Sequence, residues 1–176
     1  MARRTQPRLL LVALCFVFGT LTAATSLEYE VKAAFLLNFA TFTEWPPTAF
    51  ESPSSPLRIC ILGVDPFDGS LLRTVKGESV AGHPLVVEHP SEEGIKRCHV
   101  LFIRRAVNPR GNDLNPGTTD APVLVVSESE ALWRAGSIIN FAIDGGRVRF
   151  DVNQTASLRG GLRLSPKLLR VARTVR

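Results

Sequence analysis

The sequence is poor in the side chains that most enzymes and metalloproteins use. Its 176 residues include only three cysteines, three histidines and one tyrosine. No serine lies in a nucleophile elbow, and Gly145-Gly146 suits a turn better than a phosphate cradle. The adjacent carboxylates Glu92 and Glu93 lie in a polar segment typical of a solvated face. The composition therefore predicts a protein that is not an enzyme, and we expect no catalytic residue, metal or cofactor.

The histidines form no site in the sequence. None of them belongs to a catalytic or metal-binding motif, and all lie in or beside predicted strands: His83, His89 and His99. We therefore expect them to be surface residues or hydrogen-bonded core residues. No basic stretch is interleaved with stacking aromatic residues, so nucleic acid is not an expected ligand.

The sequence also lacks an apolar run long enough to cross a membrane. The run from Leu9 to Phe18 is far shorter than the roughly 20 apolar residues that a spanning helix needs. Three arginines precede this run and the small residues Thr22-Ala23-Ala24 follow it, which is the order of a secretory signal peptide. We predict a signal peptide over residues 1–24 and a secreted domain over residues 25–176. Cys15 lies in the middle of the run, so it does not predict a lipid anchor.

The secreted part is large enough for one domain with a core of its own. The whole chain has a net charge of +5, but three of its 21 basic residues and none of its 16 acidic residues precede residue 25. Most of the remaining basic surplus is near the C-terminus, where it forms either a solvated helix face or a surface for an acidic partner or anionic lipid. These residues are Arg159, Arg163, Lys167, Arg170, Arg173 and Arg176.

Two cysteines, Cys60 and Cys98, remain after the leader. In an oxidising compartment such a pair predicts a disulfide. Cys98-His99 with Cys60 is an alternative metal site, but these three ligands fall short of the four that structural zinc takes.

The first half of the secreted part alternates helical and strand patterns. Apolar residues at spacings of three and four, Val31, Phe35, Phe39 and Phe42, predict an amphipathic helix from Leu27 to Thr43. A second helix is predicted from Asp65-Pro66 to Lys76-Gly77. Short apolar runs between turn residues predict buried strands at Leu57–Gly63, Leu85–Glu88, His99–Arg104 and Pro122–Ser127. This rhythm predicts a single α/β layered domain with a mostly parallel central sheet and flanking helices.

The second half predicts an antiparallel hairpin and short capped helices. Ser127 or Ser129 is expected to cap a helix reaching Gly136, with Leu132 and Trp133 facing inward. Strands over 137–143 and 147–152 flank the turn Asp144-Gly145-Gly146, and the second strand is expected near the sheet edge. Asn153 is expected to cap a helix over 154–159. Ser165 and Pro166 begin a final helix that carries Leu168, Leu169, Ala172 and Val175.

These motifs, in this order, resemble the YfiR-like family of periplasmic proteins. The matching stretches are Val31–Pro46 (VKAAFLLNFATFTEWP), Arg58–Phe67 (RICILGVDPF), Lys76–Leu85 (KGESVAGHPL), Arg97–Ile103 (RCHVLFI), Val123–Ser127 (VLVVS), and Ile138–Ala172 with RVRFDVN and GLRLSPKLLRVA. The positions of Cys60 and Cys98 are similar to those of a disulfide in the family. The chain departs from the family in lacking a second cysteine pair. It also departs at Gly160 and Pro166, and between residues 108 and 117, where Asn-Pro and glycine oppose a long helix.

The resemblance implies a non-catalytic regulator. It implies binding to the periplasmic sensor region of an inner-membrane diguanylate cyclase and repression of cyclic-di-GMP synthesis. Further implied partners are an OmpA-like outer-membrane lipoprotein and a second copy of the chain.

Two surfaces are candidates for binding. The first is the C-terminal segment, where apolar and basic residues alternate and the resemblance is strong: Leu162, Leu164, Ser165, Lys167, Leu168, Arg170 and Val171. The apolar members could instead dock the terminal helix on the sheet. The second belongs to an alternative function, a periplasmic receptor with a small ligand at the carboxyl ends of the parallel strands, lined by Gly63, Asp65, Ser127 and Ser129.

Overall fold

The computed structural model describes residues 27–104 and 121–176, so the predicted signal peptide lies outside the described residues. Helix α1 spans residues 27–41. The other helices are α2 (Ser70–Val75), α3 (Glu130–Arg134), α4 (Gln154–Arg159) and α5 (Pro166–Val171), with 3-10 helices at Pro47–Ala49 and Glu92–Arg97. The strands are β1 (Thr43–Glu44), β2 (Leu57–Leu62), β3 (Ser79–Val80), β4 (His83–Glu88), β5 (Val100–Ile103), β6 (Leu124–Ser127), β7 (Ile139–Asp144), β8 (Arg147–Val152), β9 (Arg163–Leu164) and β10 (Thr174–Val175).

Eight of these strands form one sheet, in the order β10-β8-β7-β6-β5-β2-β4-β3. Its centre, from β4 to β7, is parallel. Strand β8 runs antiparallel to β7 through the predicted hairpin, whose turn residues Gly145 and Gly146 have φ of 55° and 72°. The predicted fold class is therefore confirmed. Strands β1 and β9 form a separate antiparallel pair.

The central strands are buried on both faces, as their continuous apolar runs predict. Alternate residues point to opposite faces of a strand, so Ile59 and Ile61 of β2 join one apolar cluster and Cys60 and Leu62 join the other. The larger cluster lies under α1, α2, α4 and α5, and the smaller one lies beside α3. Leu132 and Trp133 of α3 are buried, as predicted.

Helix α1 is present as predicted, but its buried face is rotated from the aromatic stripe. Phe39 is fully buried, Phe35 and Phe42 are half-buried and Val31 is 38 % exposed. The two small residues of the buried face, Ala33 and Ala40, let the helix approach the sheet closely. The buried residues of α1 are Tyr29, Lys32, Ala33, Leu36, Phe39 and Ala40. The predicted apolar residues therefore lie at one side of the buried face: Phe39 is in the core, Phe35 and Phe42 pack against it, and only Val31 is exposed.

Two predicted helix boundaries are wrong. Helix α2 begins at Ser70, because Asp68 and Gly69 have left-handed φ values of 47° and 72°, which a helix cannot continue through. The last helix ends at Val171, and Val175 lies in β10, which pairs in parallel with β8. Strand β8 is therefore the second strand from the edge.

The cap predictions separate into two groups. Asn153 accepts a hydrogen bond from the backbone N–H of Ala156 at 3.0 Å, and Ser165 accepts one from Lys167 at 3.3 Å, so both predicted caps are confirmed. Ser129 occupies the N-cap position of α3, but neither its hydroxyl nor that of Ser127 caps the helix. The helix-opposing segment between residues 108 and 117 lies outside the described residues.

Candidate functional site

The C-terminal segment is held in place by β1 and by its own cap. Leu164 is the register partner of Thr43, and the backbone N–H of Ser165 donates to the carbonyl of Phe42 at 2.9 Å. Ser165 is the N-cap of α5, which begins at Pro166, and its hydroxyl accepts a hydrogen bond from the backbone N–H of Lys167. These contacts orient α5 relative to the end of α1.

The residues predicted to bind a partner differ in burial: some are core residues and others are exposed. Leu162 and Leu168 lie in the hydrophobic core, and Leu164 packs against it. Lys167 and Arg170 are exposed, and Val171 is 61 % exposed. A partner that docks on the folded protein therefore meets the exposed residues, whereas the leucines position them.

The exposed residues continue onto the neighbouring elements. Leu158 of α4 is 60 % exposed, and Arg159 and Arg163 are exposed. We name this group the C-terminal surface: Leu158, Arg159, Arg163, Lys167, Arg170 and Val171. No carboxylate of the described residues forms an ion pair with its four cationic side chains. The surface thus presents positive charge and two apolar side chains to solvent, and a negatively charged surface would complement it.

Arg173 and Arg176, the last two basic residues of the C-terminal segment, form contacts within the protein. Arg173 donates two hydrogen bonds to the carboxylate of Asp151, at 2.9 and 2.6 Å, and this holds the pKa of Asp151 below its usual range. The Arg176 guanidinium lies 3.9 Å from the centre of the Trp133 ring and donates to the Trp133 carbonyl. Arg173 therefore fastens the chain beside β10 to β8, and Arg176 fastens the chain after β10 to α3, so neither is part of the C-terminal surface.

The residues of the alternative ligand site lie at the carboxyl ends of β2 and β6, with β5 between these strands. The buried Ser127 hydroxyl donates to Asn140 at 2.9 Å. The Asp65 carboxylate accepts from the backbone N–H of Phe67 at 2.7 Å and contacts His89 at 3.2 Å. Gly63 has φ of 90°, consistent with its place in the turn after β2. The polar groups of Ser127 and Asp65 are therefore engaged within the protein.

An ion cluster that sequence reasoning missed lies at the same edge of the sheet. The Glu128 carboxylate accepts hydrogen bonds from Tyr29 at 2.8 Å, from Arg104 at 3.1 Å and from Lys32. Lys32 also pairs with Glu28 and is only 3 % exposed. Burial and the bond to Glu128 raise the pKa of Tyr29. The sequence feature that indicates this cluster is Lys32, which lies beside the apolar residues of α1. A charged side chain buried at such a position requires a partner of opposite charge.

The structure contains a disulfide between Cys60 and Cys98, as the sequence predicts. Cys60 lies in β2, and Cys98 lies two residues before the neighbouring strand β5. Both are buried in the smaller apolar cluster, against residues that include Leu101 and Val125. The bond therefore joins two central strands on the face opposite α1.

At the opposite edge, where the parallel strands begin, Phe50 lies between two histidines. Its ring stacks on His83 at 3.6 Å and on His99 at 4.5 Å between centroids. Nδ1 of His99 accepts from the backbone N–H of Arg58, and Nε2 donates to the Ala49 carbonyl, both at 3.1 Å. His99 is thus a hydrogen-bonded core histidine, one of the two expected roles.

His99 predicts an acid-dependent loss of stability. Its burial lowers its pKa from 6.5 to about 4, so the folded protein binds fewer protons than the unfolded chain between these values. The contribution of neutral His99 to the free energy of unfolding is therefore fully present above pH 6.5, and it is lost as the pH decreases to 4. Over that range the free energy of unfolding should decrease by about 3 kcal/mol, as measured by urea unfolding at a series of pH values.

The matched variant is His99→Gln, whose amide can both accept and donate without titrating. It should unfold more easily at pH 7 and should lose the pH dependence between 6.5 and 4. Asp151, whose pKa is lowered, acts only at lower pH, because its contribution is lost as the carboxylate is protonated. An unchanged pH dependence in His99→Gln would show that another group is responsible.

No helix within residues 27–104 and 121–176 has the length and apolar character of a membrane span. The same residues contain no group of three or more His, Cys, Asp or Glu side chains placed to hold a metal ion.

Comparison with known protein families gives a match over nearly all of the chain after the predicted leader. A family model described as YfiR/HmsC-like (DUF4154) matches residues 29–173. The match includes α1, both cysteines of the disulfide, the central sheet and the C-terminal surface. Since it extends well beyond half of the sequence, the chain belongs to the YfiR/HmsC-like family.

Proposed function

We propose that this protein is a non-catalytic periplasmic repressor of an inner-membrane diguanylate cyclase. It binds the periplasmic sensor region of the cyclase and lowers the cellular level of cyclic-di-GMP. The observation that carries the proposal is the match to the YfiR/HmsC-like family over residues 29–173. That family is one of periplasmic regulators of diguanylate cyclase signalling. The predicted signal peptide over residues 1–24 supports the same compartment.

The C-terminal surface is the proposed contact with the sensor region. Its cationic side chains have no ion-pair partner among the described residues, so they can pair with carboxylates of another protein without breaking an internal contact. The exposed side chains of Leu158 and Val171 add apolar area to this surface. Binding that favours the inactive conformation of the cyclase shifts its population away from the active one, which is repression.

Two further partners belong to the proposal because the family resemblance implies them. An OmpA-like outer-membrane lipoprotein would sequester the repressor and release the cyclase. A second copy of the chain would form a homodimer.

The alternative function, a receptor for a small ligand at Gly63, Asp65, Ser127 and Ser129, has less support. The Ser127 hydroxyl is buried and bonded to Asn140, and the Glu128 ion cluster occupies the same edge of the sheet. The geometry therefore favours a regulator that acts through its protein surface.

The proposal predicts that Lys167→Glu/Arg170→Glu cannot repress the cyclase. Deleting the gene should raise cyclic-di-GMP, and the wild-type gene should restore the lower level, whereas the double variant should leave it high. Reversing two charges in a charge-complementary interface is expected to weaken binding to the purified sensor region by about tenfold or more. Because both side chains are exposed, the melting temperature should stay within about 2 °C of wild type.

The matched control is Lys96→Glu/Arg97→Glu, which reverses two exposed charges in the 3-10 helix before Cys98. It should repress as wild type does. Full repression by the Lys167/Arg170 variant would place the contact elsewhere. An unchanged or lower cyclic-di-GMP level in the deletion strain would contradict the repressor function itself.

A further inference from the structure

A cavity of about 410 Å³ lies at the edge of the sheet where the parallel strands begin. Leu57 and His83, the first residues of β2 and β4, contribute to its lining. Aromatic and aliphatic walls come from Trp45, Phe50 and Val80. The volume and the apolar walls are those of a small-molecule site.

The aromatic wall is held in place by the contacts of Phe50 with two histidines. The Phe50 ring stacks on the rings of both His83 and His99. The angle between the ring planes is 9° for His83 and 23° for His99. His99 in turn bonds the backbone of Arg58 and Ala49. The aromatic wall is therefore preorganised, which reduces the entropy lost on binding.

Apart from the indole N–H of Trp45, which is buried and has no hydrogen-bond partner within the described residues, the polar side chains available at the cavity present hydrogen-bond acceptors. The hydroxyls of Thr41 and Thr43 already donate to carbonyls of α1. Nδ1 of His83 lies 2.7 Å from the Ser55 carbonyl, which can only accept, so Nδ1 carries the proton and Nε2 has a lone pair. Within the described residues neither Nε2 of His83 nor the Glu44 carboxylate has a hydrogen-bond or ion-pair partner.

The charge of the lining is of one sign. Glu44 is the single charged residue among the lining side chains, and none of them is a lysine or arginine. A carboxylate and an imidazole lone pair both accept hydrogen bonds from an ammonium group. An organic anion would meet no compensating charge here.

We propose that this cavity binds a small organic cation, an amine that carries an apolar group. The ammonium lies toward Glu44 and Nε2 of His83, and the apolar group packs against Trp45 and Phe50. Glu44 is the register partner of Arg163, so the cavity borders the C-terminal surface, but its lining contains none of the residues of that surface. The proposal does not depend on the protein being a cyclase repressor.

The test is a titration of the secreted chain, residues 25–176, with phenethylamine, followed by isothermal calorimetry and by amide chemical shifts in NMR. Two probes of similar size, neutral 2-phenylethanol and anionic phenylacetate, test the sign of charge. The amine should shift the amide signals of residues around the cavity and should bind at least about tenfold more tightly than either probe. Equal binding of the three compounds, or absence of amine binding, would overturn the proposal.

Glu44→Gln tests the carboxylate directly. Its side chain is exposed, so the variant should fold, which its amide spectrum checks. Amine binding should weaken about two- to fivefold, as expected when one exposed ion pair is lost. Glu92→Gln, an exposed carboxylate in the 3-10 helix before Cys98, should bind as wild type does. Unchanged affinity in Glu44→Gln, or an equal loss in Glu92→Gln, would contradict a site at Glu44.

Discussion

Replacing Cys60 and Cys98 together by serine is expected to lower the free energy of unfolding by about 4 kcal/mol, within the usual range of 2 to 5 for a small secreted domain. The bond closes a loop with a sequence separation of 38, and this closure restricts the unfolded chain. Most domains are stable by only about 5 to 15 kcal/mol, so the loss is a large part of the total. Denaturant unfolding of the oxidised wild type and of the variant measures it.

Two comparisons identify the source of the loss. Wild type unfolded in a reducing agent should match the variant, because both lack the bond. Cys60→Ala/Cys98→Ala should be no less stable than the serine pair, since the two sites are at most 4 % exposed and serine places hydroxyls among apolar side chains. A loss below about 1 kcal/mol on reduction would mean that the bond does not restrain the unfolded chain.

Lys32→Met should destabilise the protein by about 3 to 5 kcal/mol, the cost of removing one partner of a buried ion pair. The Lys32 side chain is 4 % exposed and that of Glu128 is 12 % exposed. Without the ammonium, the Glu128 carboxylate keeps Tyr29 and the largely exposed Arg104 as its partners. The remaining charge is then poorly compensated, and thermal or denaturant unfolding reports the difference.

The double variant Lys32→Met/Glu128→Gln separates charge from packing. It removes the unpaired carboxylate as well, so its loss should be smaller than the sum of the two single losses by about 1 kcal/mol or more. Lys76→Met changes an exposed lysine and should alter stability by less than about 0.5 kcal/mol. Additive losses would show that the two side chains are not coupled.

Local patterns identified most elements correctly. The continuous apolar run at β2, the Asp144-Gly145-Gly146 turn and the Asn153 cap all depend on neighbouring residues along the chain, so the sequence reports them directly. The start of α2 failed because of the local backbone conformation of Asp68 and Gly69, whereas the end of the last helix depends on distant contacts. Residues 174–175 form a strand rather than a helix because they pair with β8 and because Arg173 binds Asp151.

The same distinction applies to the candidate sites. The sequence pointed to the C-terminal segment but could not separate Leu162 and Leu168, which are buried, from Lys167 and Arg170, which are exposed. Helical periodicity describes which residues share a face, but burial depends on what packs against that face.

The sequence by itself determined the fold class, the family and the chemistry of the cysteine pair, because these follow from hydrophobic period, motif order and residue type. Only the tertiary structure decided that Lys32 is buried against Glu128, that Phe50 stacks between His83 and His99, and that Glu44 and His83 line one cavity. Each of these depends on residues far apart in the chain, such as Lys32 and Glu128, whose separation is 96. Contacts of that kind arise from the packing of helices on the sheet, and no local pattern encodes them.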